Sequence, residues 1–169
     1  MQAFDPTLAL TLAYRHTAKE RMIAHLERQL GEAYIWGGNG GVEQDCSGLV
    51  TEAMRTFRFL TDDEHRDRNA HGWLHYFEER GCAVDEPYRG CLIGWGVSHA
   101  GHIAVCLDEH VCIEAGGGGS WTDYVNKPAR MSREDWRRKC IEKGAQVCVR
   151  SIERDRAVHL IVDPTLVLK

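Results

Sequence analysis

The chain has 169 residues, 43% hydrophobic and 27% charged, with a formal net charge of −4. That length fits one domain burying roughly 70% of its unfolded surface, and the globular composition excludes wholesale disorder. The acidic balance argues against nucleic acid as a partner, because phosphate-binding domains carry a basic excess.

Residues 1–16 read as an arm or short helix, and 17–169 as a single domain. The start, Met1–Pro6, lacks the basic stretch and apolar run of an export signal. Leu8–Ala13 is too short to cross a bilayer and is interrupted by threonine. The expectation is a chain made in a cytoplasm without a signal peptide and not inserted into a membrane. Over 17–30, Met22, Ile23, Leu26 and Leu30 recur at helical spacing, and Gly31 supplies a stop.

Residues 34–44 hold four glycines and read as a loop. From Cys46 the pattern is helical again, with Leu49, Ala53 and Phe57 on one face and Asp45 or Ser47 at its N-terminus. A third helix is predicted over 68–80, closed by Gly81. The period then shortens. Residues 91–95, 102–107 and 111–115 read as strands, with Asp108–His110 as a hairpin turn. Gly116–Gly119 lacks the Lys-Ser/Thr pair of a phosphate loop and reads as a mobile rim of a cleft. A surface helix over 132–143 carries Arg133, Arg137 and Arg138 on a solvated face. Strands follow over 146–152 and 159–162, and Pro164 ends the last. Helices first and an antiparallel sheet afterwards define an α+β class.

The seven cysteines cannot all pair within one chain, and no CxxC pair argues for a zinc ribbon or a thioredoxin-like site. Six read as small core residues of a reducing compartment. Cys46 differs, because it follows the glycine-rich loop and opens a helix. Free N–H groups and the helix dipole there favour a thiolate and predict a lowered pKa. His102, at the start of a strand, is the candidate base. Glu114, on the next strand of the hairpin, is the candidate that orients its imidazole. His71 and His75, and His99 and His102, have the spacing of metal pairs, but no further ligands cluster with them in sequence. No metal and no cofactor is expected. Trp73 and Trp136 read as packing residues, whereas Trp121 follows the glycine loop towards Glu114.

Tyr34-x-Trp36-Gly37-Gly38 with Asp45-Cys46-Ser47-Gly48-Leu49-Val50 resembles the first motif of the NlpC/P60 cysteine peptidases. Gly101-His102-Ile103-Ala104-Val105, followed twelve residues after the histidine by Glu114, resembles the second. The likeness covers about residues 20–125, leaving 126–169 as C-terminal strands and extension. It implies a papain-like α+β fold, with N-terminal helices packed on a central antiparallel sheet. It also implies hydrolysis of peptidoglycan stem peptides, often between D-γ-glutamate and a diamino acid. Cys46 would be the nucleophile, His102 the general base and Glu114 the third triad member. Tyr34 and the Cys46 backbone N–H would hold the oxyanion, while Trp36, Asp45 and Ser47 would line the substrate site. Two positions depart from the family pattern. Glu114 stands where histidine is usual, and Tyr88-Arg-Gly-Cys91-Leu replaces Pro-Gly-Asp-Leu.

Cysteine before histidine is the order of peptide hydrolysis, whereas permuted acyl-transferring relatives reverse it. The end of the second motif, Ile113-Glu-Ala-Gly-Gly, is similar to phage-type members. A wall peptidase without an export signal is expected to reach the wall or periplasm in a phage tail, or through a holin as a lysin. A docking surface for phage tail proteins would lie in residues 1–16 and 125–169. A structural tail component with weak or lost catalysis, and an interbacterial amidase effector, remain open alternatives.

Overall fold

The computed structural model describes residues 6–40, 42–56, 60, 67–96, 98, 100–154 and 156–167. The long N-terminal helix α1 spans Pro6–Glu27 without a break, so the two segments expected at 6–16 and 17–30 form one helix. Met22, Ile23 and Leu26 are fully buried, as their spacing predicts. Leu30 lies beyond the helix end and is 45% exposed. Gly31 takes the left-handed conformation (φ 85°) that reverses the chain.

The glycine-rich segment is not a plain loop. It carries β1 (Ala33–Tyr34), β2 (Asn39–Gly40) and β3 (Glu43–Gln44), each two residues long. Helix α2 (Cys46–Met54) follows directly, and α3 spans Ala70–Glu78. Phe57, expected on the apolar face of α2, lies outside the described residues. The larger strands are β4 (Leu92–Trp95), β5 (His102–Cys106) and β6 (Val111–Gly116). Helix α4 (Arg133–Glu142) precedes β7 (Gln146–Ser151) and β8 (Val158–Val162). Short 3₁₀ turns at Ser120–Thr122, Tyr124–Asn126 and Pro164–Val167 carry no periodic apolar pattern and escape a sequence reading.

The strands form one sheet in the order β2-β3-β1-β7-β6-β5-β4-β8. Its pairs are antiparallel except β1 with β3, which run parallel, so the expected antiparallel sheet is mixed at one edge. The β5–β6 turn is held by Asp108, whose Oδ1 accepts from the backbone N–H of His110 (2.7 Å) and of Val111 (2.8 Å). Alternation divides the sheet into two faces. Leu92, Ile103, Val105, Ile113 and Ala115 pack with Met22, Leu26, Leu49, Trp73, Leu74 and Phe77 of the helices. Ile93, Trp95, Ala104, Cys106 and Cys112 build a smaller core on the other face. Each large apolar side chain buried this way contributes roughly 1.5–3 kcal/mol. All seven cysteines are free thiols. Five are buried, and Cys46 and Cys148 are half-buried. No helix among the described residues is long and apolar enough to cross a membrane.

Candidate active site

Asp45 explains why α2 begins at the cysteine. Its Oδ1 accepts from the Gly48 N–H (2.7 Å) and from the Ser47 hydroxyl (2.9 Å), while Oδ2 accepts from the Gly37 N–H (3.1 Å). One carboxylate thus caps the helix and anchors the preceding loop. Cys46 is consequently the first helical residue. It opens onto a cleft of about 600 Å³ that is also lined by Tyr34, Trp36, Asp45, Ser47 and His71. Trp36 is half exposed, and its backbone N–H is held by the Thr122 hydroxyl at 3.0 Å.

The expected low pKa of Cys46 is not found. Burial, and then the neighbouring Asp45 carboxylate, push the thiol up to about 11. Backbone N–H groups of Ile103, Ser47 and Cys46 itself favour the thiolate, but by less. The helix start therefore supplies the expected donors, and desolvation outweighs them.

His102 begins β5, and its Nε2 lies 2.8 Å from Glu114 Oε2. The β5–β6 register pairs Val105 with Ile113 and Cys106 with Cys112. Continued, it sets Glu114 one diagonal step from His102 on the same face, within reach of the imidazole. Among the described residues no hydrogen bond joins the Cys46 thiol to His102. The sulfur meets the backbone of Ile103 instead, one residue along the strand.

Glu114 is buried, with 2% of its surface exposed. Burial raises its pKa, but the hydrogen bond and charge of His102 and the guanidinium of Arg154 outweigh this and hold it below the usual carboxylate range. Arg154 Nη1 approaches Oε2 at 2.7 Å, and Arg150 Nε approaches Oε1 at 3.3 Å. Arg154 also lies over the Trp95 ring, 4.1 Å from its centroid. These arginines, with Arg156, line a polar recess of about 370 Å³ together with Tyr34, His102 and Glu114. The sequence reading missed them. The only signal is the run Arg150-Ser-Ile-Glu-Arg154-Asp-Arg156, which reads as a solvated charged stretch until β7 is paired with β6.

Tyr34 lines both the cleft and the recess. Burial first, and then Cys46 and Asp45, push its phenol far above the ordinary value, so its O–H remains a donor at neutral pH. The glycine loop is packed, not a free rim. A Cβ on Gly118 would come within 2.0 Å of the Tyr34 ring, and one on Gly116 within 2.5 Å of Glu114 Oε1. Trp121 packs half-buried against Trp136 and the core.

His71 and His75 of α3 meet His159 of β8, a partner that sequence spacing could not reveal. His99 lies outside the described residues.

The NlpC/P60 family model matches residues 31–139. The chain is 31% identical over 110 residues to the probable endopeptidase YafL of Escherichia coli K12, covering 63% of this chain and 43% of YafL. The chain thus spans less than half the length of that relative. Among solved structures it resembles the peptidoglycan hydrolase RipB of Mycobacterium tuberculosis, with a TM-score of 0.60 and 22% identity over 96% of this chain and 73% of RipB. It also resembles the NlpC/p60 domain of the peptidoglycan hydrolase SagA, with a TM-score of 0.54 and 22% identity over 85% of this chain and 97% of that domain. The P60 domain of antigen MAP1204 from M. avium subspecies paratuberculosis scores 0.59 at 18% identity, over 92% of this chain and 98% of that domain.

Proposed function

Because the chain belongs to the NlpC/P60 family, we propose that it is a cysteine endopeptidase of peptidoglycan stem peptides. The observation that carries this reading is a cysteine opening a capped helix beside a strand whose first residue, His102, is bonded to a buried carboxylate. In this reading Cys46 Sγ attacks the scissile carbonyl carbon while His102 takes the thiol proton. His102 Nε2 is committed to Glu114, which leaves Nδ1 as the proton acceptor. The Tyr34 O–H and the Cys46 backbone N–H receive the oxyanion. His102 then returns the proton to the leaving amine, and water hydrolyses the thioester. Trp36 and Ser47 contact the peptide from the cleft wall, and Asp45 acts mainly through the cap.

The bond proposed is that between D-γ-glutamate and the diamino acid. The setting proposed is a phage-type peptidase, carried in the tail or released as a lysin and acting in the wall or periplasm. The exposed Leu8, Leu10 and Leu12 on α1 lie outside the family match and are available to a tail partner. Mass spectrometry of muropeptides tests the activity: the protein should split the stem peptide and Cys46→Ala should not. Equal digestion by both would refute it. Detection of the protein in purified particles separates the tail role from the lysin.

The Cys46 thiol meets the backbone of Ile103 and, among the described residues, makes no hydrogen bond to His102, which favours a second reading, a structural component whose catalysis has decayed. Iodoacetamide labelling of Cys46 decides between them. A thiol held at about 11 reacts tenfold faster per pH unit from 6 to 10. On the peptidase reading, His102 assists thiol ionisation, so His102→Ala lowers labelling at pH 7. On the structural reading, His102→Ala leaves labelling unchanged.

A further inference from the structure

Among the described residues, outside the Cys46–His102–Glu114 group, one cluster of ligating side chains is drawn from separate elements. His71 and His75 stand one turn apart on α3, and His159 reaches them from β8. One ligating atom from each lies within 4.8 Å of the other two. The His71 and His75 ring centroids are 4.0 Å apart, and His159 is 5.9 Å from each.

The protonation pattern suits a ligand. His75 Nδ1 lies 2.6 Å from Glu78 Oε2, so the carboxylate holds the proton on Nδ1. The lone pair is then on Nε2, which is buried without a hydrogen-bond partner. A buried imidazole acceptor left unsatisfied is costly, and a carboxylate behind a histidine is the usual outer support of a bound metal. Zn–N bonds of about 2.0–2.1 Å set tetrahedral ligand atoms about 3.3–3.4 Å apart, so modest side-chain rotation closes the trio.

We propose that His71, His75 and His159 bind one divalent transition-metal ion of the zinc class, clipping α3 to β8. Three imidazoles with no carboxylate or thiolate among them favour zinc, cobalt or nickel over calcium or magnesium. A fourth position remains for water. His71 also lines the Cys46 cleft, so the ion would brace the cleft wall. This inference is independent of the proposed hydrolysis.

The test is zinc titration of the untagged, metal-stripped protein by calorimetry, with cobalt as a spectroscopic probe. The Cys46→Ala protein should bind one equivalent, gain thermal stability from it, and give a cobalt spectrum without a thiolate charge-transfer band. His159→Ala and His75→Ala should each lose the site while keeping the circular dichroism of the parent. Glu78→Gln should weaken it about 10–100-fold. Loss of binding in Cys46→Ala, binding that survives both histidine variants, or no binding at all would overturn the proposal.

Discussion

Glu114 is the residue whose chemistry departs most from a bare motif. It stands where the family usually has histidine, and it is an ionised group in the core. Three cationic or proton-donating groups, His102, Arg150 and Arg154, compensate its burial. Glu114→Gln keeps the volume but removes the charge that balances the arginines and that, on the proposed mechanism, would stabilise the imidazolium. We expect muropeptide turnover to fall on the order of 10²–10⁴-fold, measured by chromatography on a protein whose circular dichroism is unchanged. Residual turnover near that of the parent would show that Glu114 does not orient the base.

Among the elements, the loop–helix junction and the glycine loop position the site. Asp45 makes three hydrogen bonds across the start of α2. Loss of such a cap costs about 1 kcal/mol, and up to about 2. Asp45→Ala should lower urea stability by that amount and, because Gly37 is released with the helix, reduce activity as well. Gly118→Ala drives a methyl group into the Tyr34 ring, and overpacking of this kind costs about 1–3 kcal/mol. On the proposed mechanism, in which Tyr34 holds the oxyanion, its expected signature is a loss of kcat larger than the change in KM.

For the molecule as a whole, closure depends on a long-range clip. Lys19 of α1 reaches Asp163, just after β8, with Nζ 2.6 Å from Oδ2, and the Tyr88 hydroxyl donates to the same oxygen at 2.8 Å. Burial raises the pKa of Asp163, but Lys19, Thr165 and Tyr88 outweigh it and hold it below the ordinary 3.8. A depressed carboxylate stabilises the fold above its unfolded pKa and loses that contribution as pH falls through its folded pKa. Lys19→Ala strands a buried charge and should cost about 3 kcal/mol at pH 7. The difference between variant and parent should shrink in urea titrations below pH 3.8, where Asp163 takes up its proton. A deficit that persists unchanged in acid would assign the loss to packing.

The class of fold, most element positions, the cysteine at the start of α2 and the pairing of His102 with Glu114 were legible in the sequence. These rest on local signals: apolar period, caps, turn residues and two short motifs. Helix α3 and the β5–β6 hairpin lie where their patterns place them, and Glu114 meets His102 because a hairpin register is itself local. What only the tertiary structure decided concerns groups brought together from distant segments. Helix propensity alone could not join residues 6–16 to 17–27. The thiol pKa is set by burial and then by the Asp45 carboxylate, which outweigh the backbone donors of Ile103 and of the helix start. The arginines around Glu114 and the third histidine of the α3 cluster are contributed by β7, β8 and the segment between them. Desolvation and long-range charge depend on the whole packed chain, so no window of sequence carries them.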